Sequence, residues 1–183
     1  MSDKLKSGSL LLLFAVILLA PVIQDRLSEE AIKYVADSES AHNGMPTEWD
    51  GKQVFCTLFP EDFPHAEYST GVTMIDSSGS TLAVNEEYNG TGACVGGLEG
   101  FTHGLDFMLN ASAVVGNSLS IGYDIGEWGP LVHTIGGINS NNITGDFGGA
   151  YWHLDHNGAT SMVGIGDLVM SDGDVILWRI STW

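Results

Sequence analysis

The sequence predicts an α+β roll: one helix among about seven or eight short strands, behind an apolar N-terminal segment. Three observations carry this reading. Short β-prone runs recur along most of the chain and are separated by tight-turn signals. Beyond residue 49 a single window, Thr102 to Ser112, has helical periodicity. Glycine is frequent, 24 of 183 residues, while only 16% are charged, which suits a strand- and loop-rich globular domain and not a disordered acidic tail.

The first element is the run Leu10 to Ile23, LLLLFAVILLAPVI, which carries no charge. Lys4 and Lys6 outweigh Asp3 ahead of it, the flank expected on the cytoplasmic side of a membrane. Its length lies between a signal-peptide core and a short spanning helix. Pro21 follows Ala20, and Leu18 is too large for a small-x-small cleavage site. We therefore read residues 1–25 as an uncleaved signal anchor, with a cleaved signal as the alternative; either one exports the rest of the chain. Ser28 to Ala41 reads as a short helix with Ser28 as its cap and Glu29 and Glu30 in its first turn. It has too few apolar residues for a core of its own, so residues 26–48 are read as a stalk ending near His42-Asn43-Gly44 and Pro46. The globular domain occupies residues 49–183.

Within the domain, Val54 to Phe59 is apolar and β-prone. Val72 to Ile75 and Thr81 to Val84 flank Asp76-Ser77-Ser78-Gly79 and read as a hairpin. Thr102 is placed to cap the helix, whose apolar face would carry Leu105, Met108, Leu109 and Ser112. Strands are expected at Ser118 to Tyr123, Leu131 to Ile135, Ala150 to His156, Gly164 to Val169 and Val175 to Ile180. Asn157-Gly158 and Ser171-Asp172-Gly173 are the turn signals among the last of these.

Charge excludes whole classes of function. The chain has 6 Lys and Arg against 23 Asp and Glu, a net charge of −17. Residues 53–178 hold no Lys or Arg and 15 acidic residues. A surface without cations cannot neutralise phosphates, so nucleic acid is not a partner. GxxxxGK[ST] is absent, which removes a phosphate loop of that type. Cys56 and Cys94 lie 38 apart in no metal-ligand spacing. In an exported chain they are expected to form one disulfide, two buried thiols being the alternative. Asn89, Asn110 and Asn142 each head an Asn-x-Ser/Thr triplet open to glycosylation after export.

The later motifs have a familiar order. A hairpin is followed by a helix carrying Leu105 and Asp106, then WGPLVHTIGGIN at Trp128 to Asn139, YWHLDHNG at Tyr151 to Gly158, and MSDGDVILWRI at Met170 to Ile180. Over residues 70–181 this succession resembles the transcobalamin C-terminal-like domain family. The resemblance implies a β-grasp-like (ubiquitin-like) roll and an extracytoplasmic binding module. In vitamin B12 carriers that module covers one face of the corrinoid while a separate helical domain holds the other. Residues 1–69 are too short to supply such a second domain.

The residues themselves favour binding over catalysis. Asp172-Gly173-Asp174 suits a tight turn better than a calcium loop, because the rest of an EF-hand register is absent. On a strand, His153 and His156 would point to opposite sides, which is poor geometry for a shared metal. No GxSxG occurs, and the cysteines have no histidine base nearby in sequence. We therefore expect no enzyme and no cofactor. The reading is a membrane-anchored, outward-facing module for a small, corrinoid-like ligand or a surface partner. Its contact candidates are Trp128, Tyr151, His153 and Asp155: aromatic rings offer a flat apolar surface, and His and Asp could fix orientation. Trp183 reads as packing. A surface domain whose edge strands pair with another chain is the first alternative, and a secreted hydrolase with an unrecognised site is the second.

Overall fold

The computed structural model describes residues 41–86 and 90–183. The apolar run at 10–23, most of the Ser28 to Ala41 helix and Asn89 lie outside the described residues. Among the described residues, no helix is long and apolar enough to cross a membrane.

Among the described residues the fold is mixed α+β, mostly sheet, with one complete α-helix. The described residues form strands, in chain order, β1 Gln53–Phe59, β2 Val72–Ile75, β3 Thr81–Asn85, β4 Thr91–Leu98, β5 Ile121–Gly126, β6 Gly129–Ile135, β7 Ile138–Asn139, β8 Ala150–His156, β9 Ala159–Thr160 and β10 Val175–Thr182. Helix α1, Gly104–Val114, lies between β4 and β5. A seven-stranded sheet has the order β3-β2-β4-β1-β10-β8-β9, and β5-β6-β7 form a separate three-stranded sheet. The central pair β1 and β10 is parallel, while β4 beside β1 and β8 beside β10 are antiparallel.

Strand alternation gives the large sheet two buried faces. Phe55 and Phe59 of β1, Ile176 and Trp178 of β10, and Trp152 and Leu154 of β8 meet Phe107, Met108 and Ala111 of α1 in the inner core. Val54, Cys56, Val72, Met74, Cys94 and Val175 form the outer cluster with Trp49, and Ala41 and Met45 pack against it. Cys56 and Cys94 face each other across β1 and β4 and are bonded, with Cα atoms 4.1 Å apart.

Three elements differ from expectation, each for a tertiary reason. Thr102 does not cap α1. His103 occupies the cap position without a side-chain bond, and the Gly104 amide donates instead to the Leu168 carbonyl at 2.8 Å. The buried face is accordingly Gly104, Phe107, Met108, Ala111 and Ser112, rotated from the expected stripe. Gly104 sits there because a Cβ would approach the Ile165 carbonyl to 2.9 Å. Residues 164–169 are not a strand: they fold into a turn, with Asp167 N bonded to Gly164 O. Their backbone serves the helix start, and Ile165 and Leu168 plug the inner core. Finally, β4 has no apolar signature because Gly92 and Gly96 interrupt it. A Cβ on either would collide, with the Thr57 carbonyl and with the Trp49 indole respectively, so close packing of neighbours demands the glycines.

Candidate functional site

Alternation along β8 sorts its side chains. Trp152 and Leu154 enter the inner core, which leaves Tyr151, His153 and Asp155 on the other face. There they form a polar ladder. His153 Nε2 lies 3.0 Å from Asp155 Oδ1 and 3.2 Å from Thr160 Oγ1, and its Nδ1 lies 3.3 Å from the Tyr151 hydroxyl. Asp155 is buried, and its Oδ2 accepts from Arg179 Nε at 2.7 Å. Arg179 stands opposite His153 in the β8–β10 register, so it reaches Asp155 diagonally. A buried carboxylate needs such a partner. The Tyr151 ring meets His153 edge-on at 5.8 Å and Trp183 at 5.7 Å.

Both nitrogens of His153 are engaged within the ladder, and its Nε2 is shared between a carboxylate and a hydroxyl. That arrangement orients the ring.

A second network closes the β8–β9 and 171–174 turns. Asn157 adopts φ +50 and Gly158 φ +78, the backbone that the Asn-Gly pair favours. The buried Asp174 carboxylate accepts from the Ser171 amide at 2.7 Å and from Asn157 Nδ2 at 2.8 Å, and lies 3.1 Å from His156 Nε2. Asn157 Oδ1 in turn accepts from the Val175 amide. Burial opposes ionisation of Asp174, but the bonds from His156, Asn157 and Ser171 outweigh it and hold the carboxyl below its usual range. Asp174 is thus a turn lock. Among the described residues, no group of three or more His, Cys, Asp or Glu is placed to hold a metal ion.

Trp128 belongs to neither network. It lies in the two-residue turn between Gly126 and Gly129, at the tip of the β5–β6 hairpin, and is 88% exposed. Ile125 and Leu131 beside it are also exposed. Gly166 lies against the Pro130 ring, and the segment to which it belongs exposes Met162 and Val163. The hairpin is therefore an apolar prong braced from one side. Structure thus brings Tyr151, His153 and Asp155 together and leaves Trp128 on another element. Sequence reasoning missed Arg179 and Thr160 as ladder members and Trp183 as its aromatic neighbour. Arg179 did carry a signal, being the lone cation after residue 52.

No curated protein matches the sequence. Among solved structures, haptocorrin in complex with Cbi is similar over 62% of this chain at 24% identity, with a TM-score of 0.40. The chain spans a quarter (25%) of that protein's length. A protein from Ruminococcus gnavus ATCC 29149, provisionally described as metal binding, is similar over 61% of this chain and 94% of its own, at 15% identity and a TM-score of 0.35. Residues 105–182, which contain the prong, the ladder and the turn lock, are similar to DUF4430, a family described as a domain of unknown function.

Proposed function

We propose that the chain is an extracytoplasmic, non-catalytic binding module, anchored by its apolar segment at 10–23, that engages its ligand through the β5–β6 prong. One observation carries the reading: Trp128 stands 88% exposed at the tip of a paired hairpin whose two faces expose Ile125 and Leu131, apolar groups held out where burial would otherwise be favoured. Export is supported by the Lys4 and Lys6 flank and by the Cys56–Cys94 bond. The transcobalamin C-terminal-like reading is supported by the motif order over 70–181. A β-grasp-like roll is supported by the parallel β1–β10 centre and by a helix crossing between β4 and the later strands.

The small-molecule form of the proposal is a flat, corrinoid-like ring stacked on Trp128. With no Lys or Arg between residues 53 and 178, its affinity comes from apolar contact and hydrogen bonds and changes little with salt. Calorimetry of the full chain with cobinamide and cobalamin tests this. We expect a dissociation constant of about 1 μM, or about −8 kcal/mol. Trp128→Ala should cost roughly 1–3 kcal/mol of it. Absence of heat at millimolar ligand retires the corrinoid.

A second reading, an interaction domain, is favoured by β3. This edge strand is uncharged from Thr81 to Asn85, and Leu82 and Val84 are exposed on it. Such an edge is open to pairing with another strand. Val84→Lys should abolish association seen by light scattering if pairing is the function, and leave corrinoid titrations unchanged if it is not.

A further inference from the structure

Between the 140–150 segment and Trp183 the chain forms a recess of about 390 Å³. Its volume lies within the usual range of small-molecule sites. We propose that this recess binds a neutral sugar ring, with Trp183 as its platform.

The platform is held by its own backbone. Trp183 N donates to Gly149 O at 3.2 Å, and Trp183 O accepts from Gly148 N at 2.6 Å, continuing the β8–β10 ladder past Thr182 and Ala150. The indole lies on Gly149, where any Cβ would collide with it. Tyr151 meets it at 5.7 Å. Support on these sides leaves the ring 68% exposed. An aromatic surface of that size, braced and uncovered, is a place for a flat ligand face.

The rest of the lining mixes Asn141 and Thr144 with Ile143 and Phe147. Asn139 Oδ1 accepts from the Asn141 amide at 2.9 Å, and Ser140 Oγ donates to the His133 carbonyl, which pins the 140–142 turn to β6. Asn141 and Thr144 line the recess and are exposed to solvent. Asn141 offers a donor and an acceptor, and the Thr144 hydroxyl offers both.

The lining chooses the ligand class. No charged side chain lines the recess, so an ionised ligand gains no side-chain ion pair there. A purely apolar ligand would cover Asn141 and Thr144 without satisfying them, at the cost of their lost water. A pyranose ring meets both parts of the lining: its C–H face stacks on indole, and its hydroxyl rim exchanges hydrogen bonds with an amide and an alcohol. This site is separate from the Trp128 prong and stands whether or not the prong binds a corrinoid.

The experiment titrates the full chain with glucose, galactose, mannose, N-acetylglucosamine and their β1,4-linked disaccharides. It follows the Trp183 indole N–H resonance, assigned from Trp183→Phe. We expect saturable shifts with at least one sugar, at a dissociation constant of about 1 mM, unchanged by added salt. Trp183→Ala should weaken binding at least about tenfold, with Trp183→Phe recovering part of the loss. Asn141→Ala and Thr144→Val should each weaken it about three- to tenfold. Asn141, Thr144 and Trp183 are all exposed, so thermal melts of the variants should stay close to the parent. No shift with any sugar at about 50 mM, some fifty times the expected constant, overturns the proposal. Shifts that persist at unchanged affinity in Trp183→Ala, read from the neighbouring Gly148 and Gly149 amides, overturn it equally.

Discussion

At the residue scale, Asp174 shows how one carboxylate can close a turn and write a pH dependence into stability. Its folded pKa lies below its ordinary value, because the His156, Asn157 and Ser171 bonds outweigh burial. A depressed carboxylate contributes stability that is fully present above its unfolded pKa and is lost as pH falls through its folded pKa. The loss therefore begins on acidifying below the ordinary aspartate range and is complete beneath the depressed value. Asp174→Asn should cost about 2 kcal/mol at neutral pH, the value of hydrogen bonds to a buried charge. The variant should also show a flatter stability profile between about pH 5 and 2 in urea titrations. Asp155 makes a parallel case. Its side chain is buried, its Oδ2 accepts from Arg179 and its Oδ1 lies 3.0 Å from His153 Nε2, so Arg179→Ala removes one of two side-chain partners. With Arg179 partly exposed, we expect about 1 kcal/mol lost and a partial return in the double variant with Asp155→Asn, a non-additivity that a double-mutant cycle would measure.

At the scale of elements, β4 and the hairpin prong pose opposite substitution problems. Gly96 of β4 carries the Trp49 indole directly on its Cα, and Trp49 is 1% exposed. A methyl group there must displace a packed aromatic ring, so Gly96→Ala should destabilise by about 2–3 kcal/mol in chemical denaturation. The effect runs against the usual gain in strand propensity from removing a glycine. The prong behaves the other way. Trp128 is supported by nothing that folding requires, and Trp128→Ala should leave stability within about 0.5 kcal/mol of the parent. A residue that costs nothing to remove from the fold, yet matters in the ligand titration, would place function on the hairpin. The helix adds a third lesson: its first turn is held by the Leu168 carbonyl and by Gly104 against Ile165, so tertiary partners replace a local cap.

For the whole molecule, the disulfide and the distribution of charge bear on where the chain works. Cys56 and Cys94 close a loop of 38 residues, for which the chain-entropy account gives about 4 kcal/mol. Reduction should lower the melting temperature substantially, and thiol titration of the unfolded, unreduced chain should find no free thiol. Protease added to intact cells should remove the domain if residues after 25 lie outside the membrane; full protection would end the export proposal. The cation-free stretch from 53 to 178 leaves the folded region strongly anionic, so added salt should stabilise it by screening self-repulsion.

The sequence by itself determined what is local. The period of β8 separated Trp152 and Leu154 from Tyr151, His153 and Asp155, and the structure keeps that separation. Asn157-Gly158, Ser171-Asp172-Gly173 and Asp76-Ser77-Ser78-Gly79 turn where their backbone preferences say they should. The two cysteines, with no metal spacing, pointed to each other. Only the tertiary structure decided what depends on distant approach. The parallel contact of β1 with β10 joins strands from the two ends of the domain. Strand β4 accommodates Trp49 and the Thr57 carbonyl through its glycines, and the 164–169 segment turns and offers its Leu168 carbonyl to the first amide of α1. Arg179 finds Asp155 only once β10 lies beside β8. Periodicity and turn chemistry act over a few residues and can be read along the chain. Close packing acts between residues far apart in it, and a glycine or a lone arginine gives no hint of its partner until the sheet has formed.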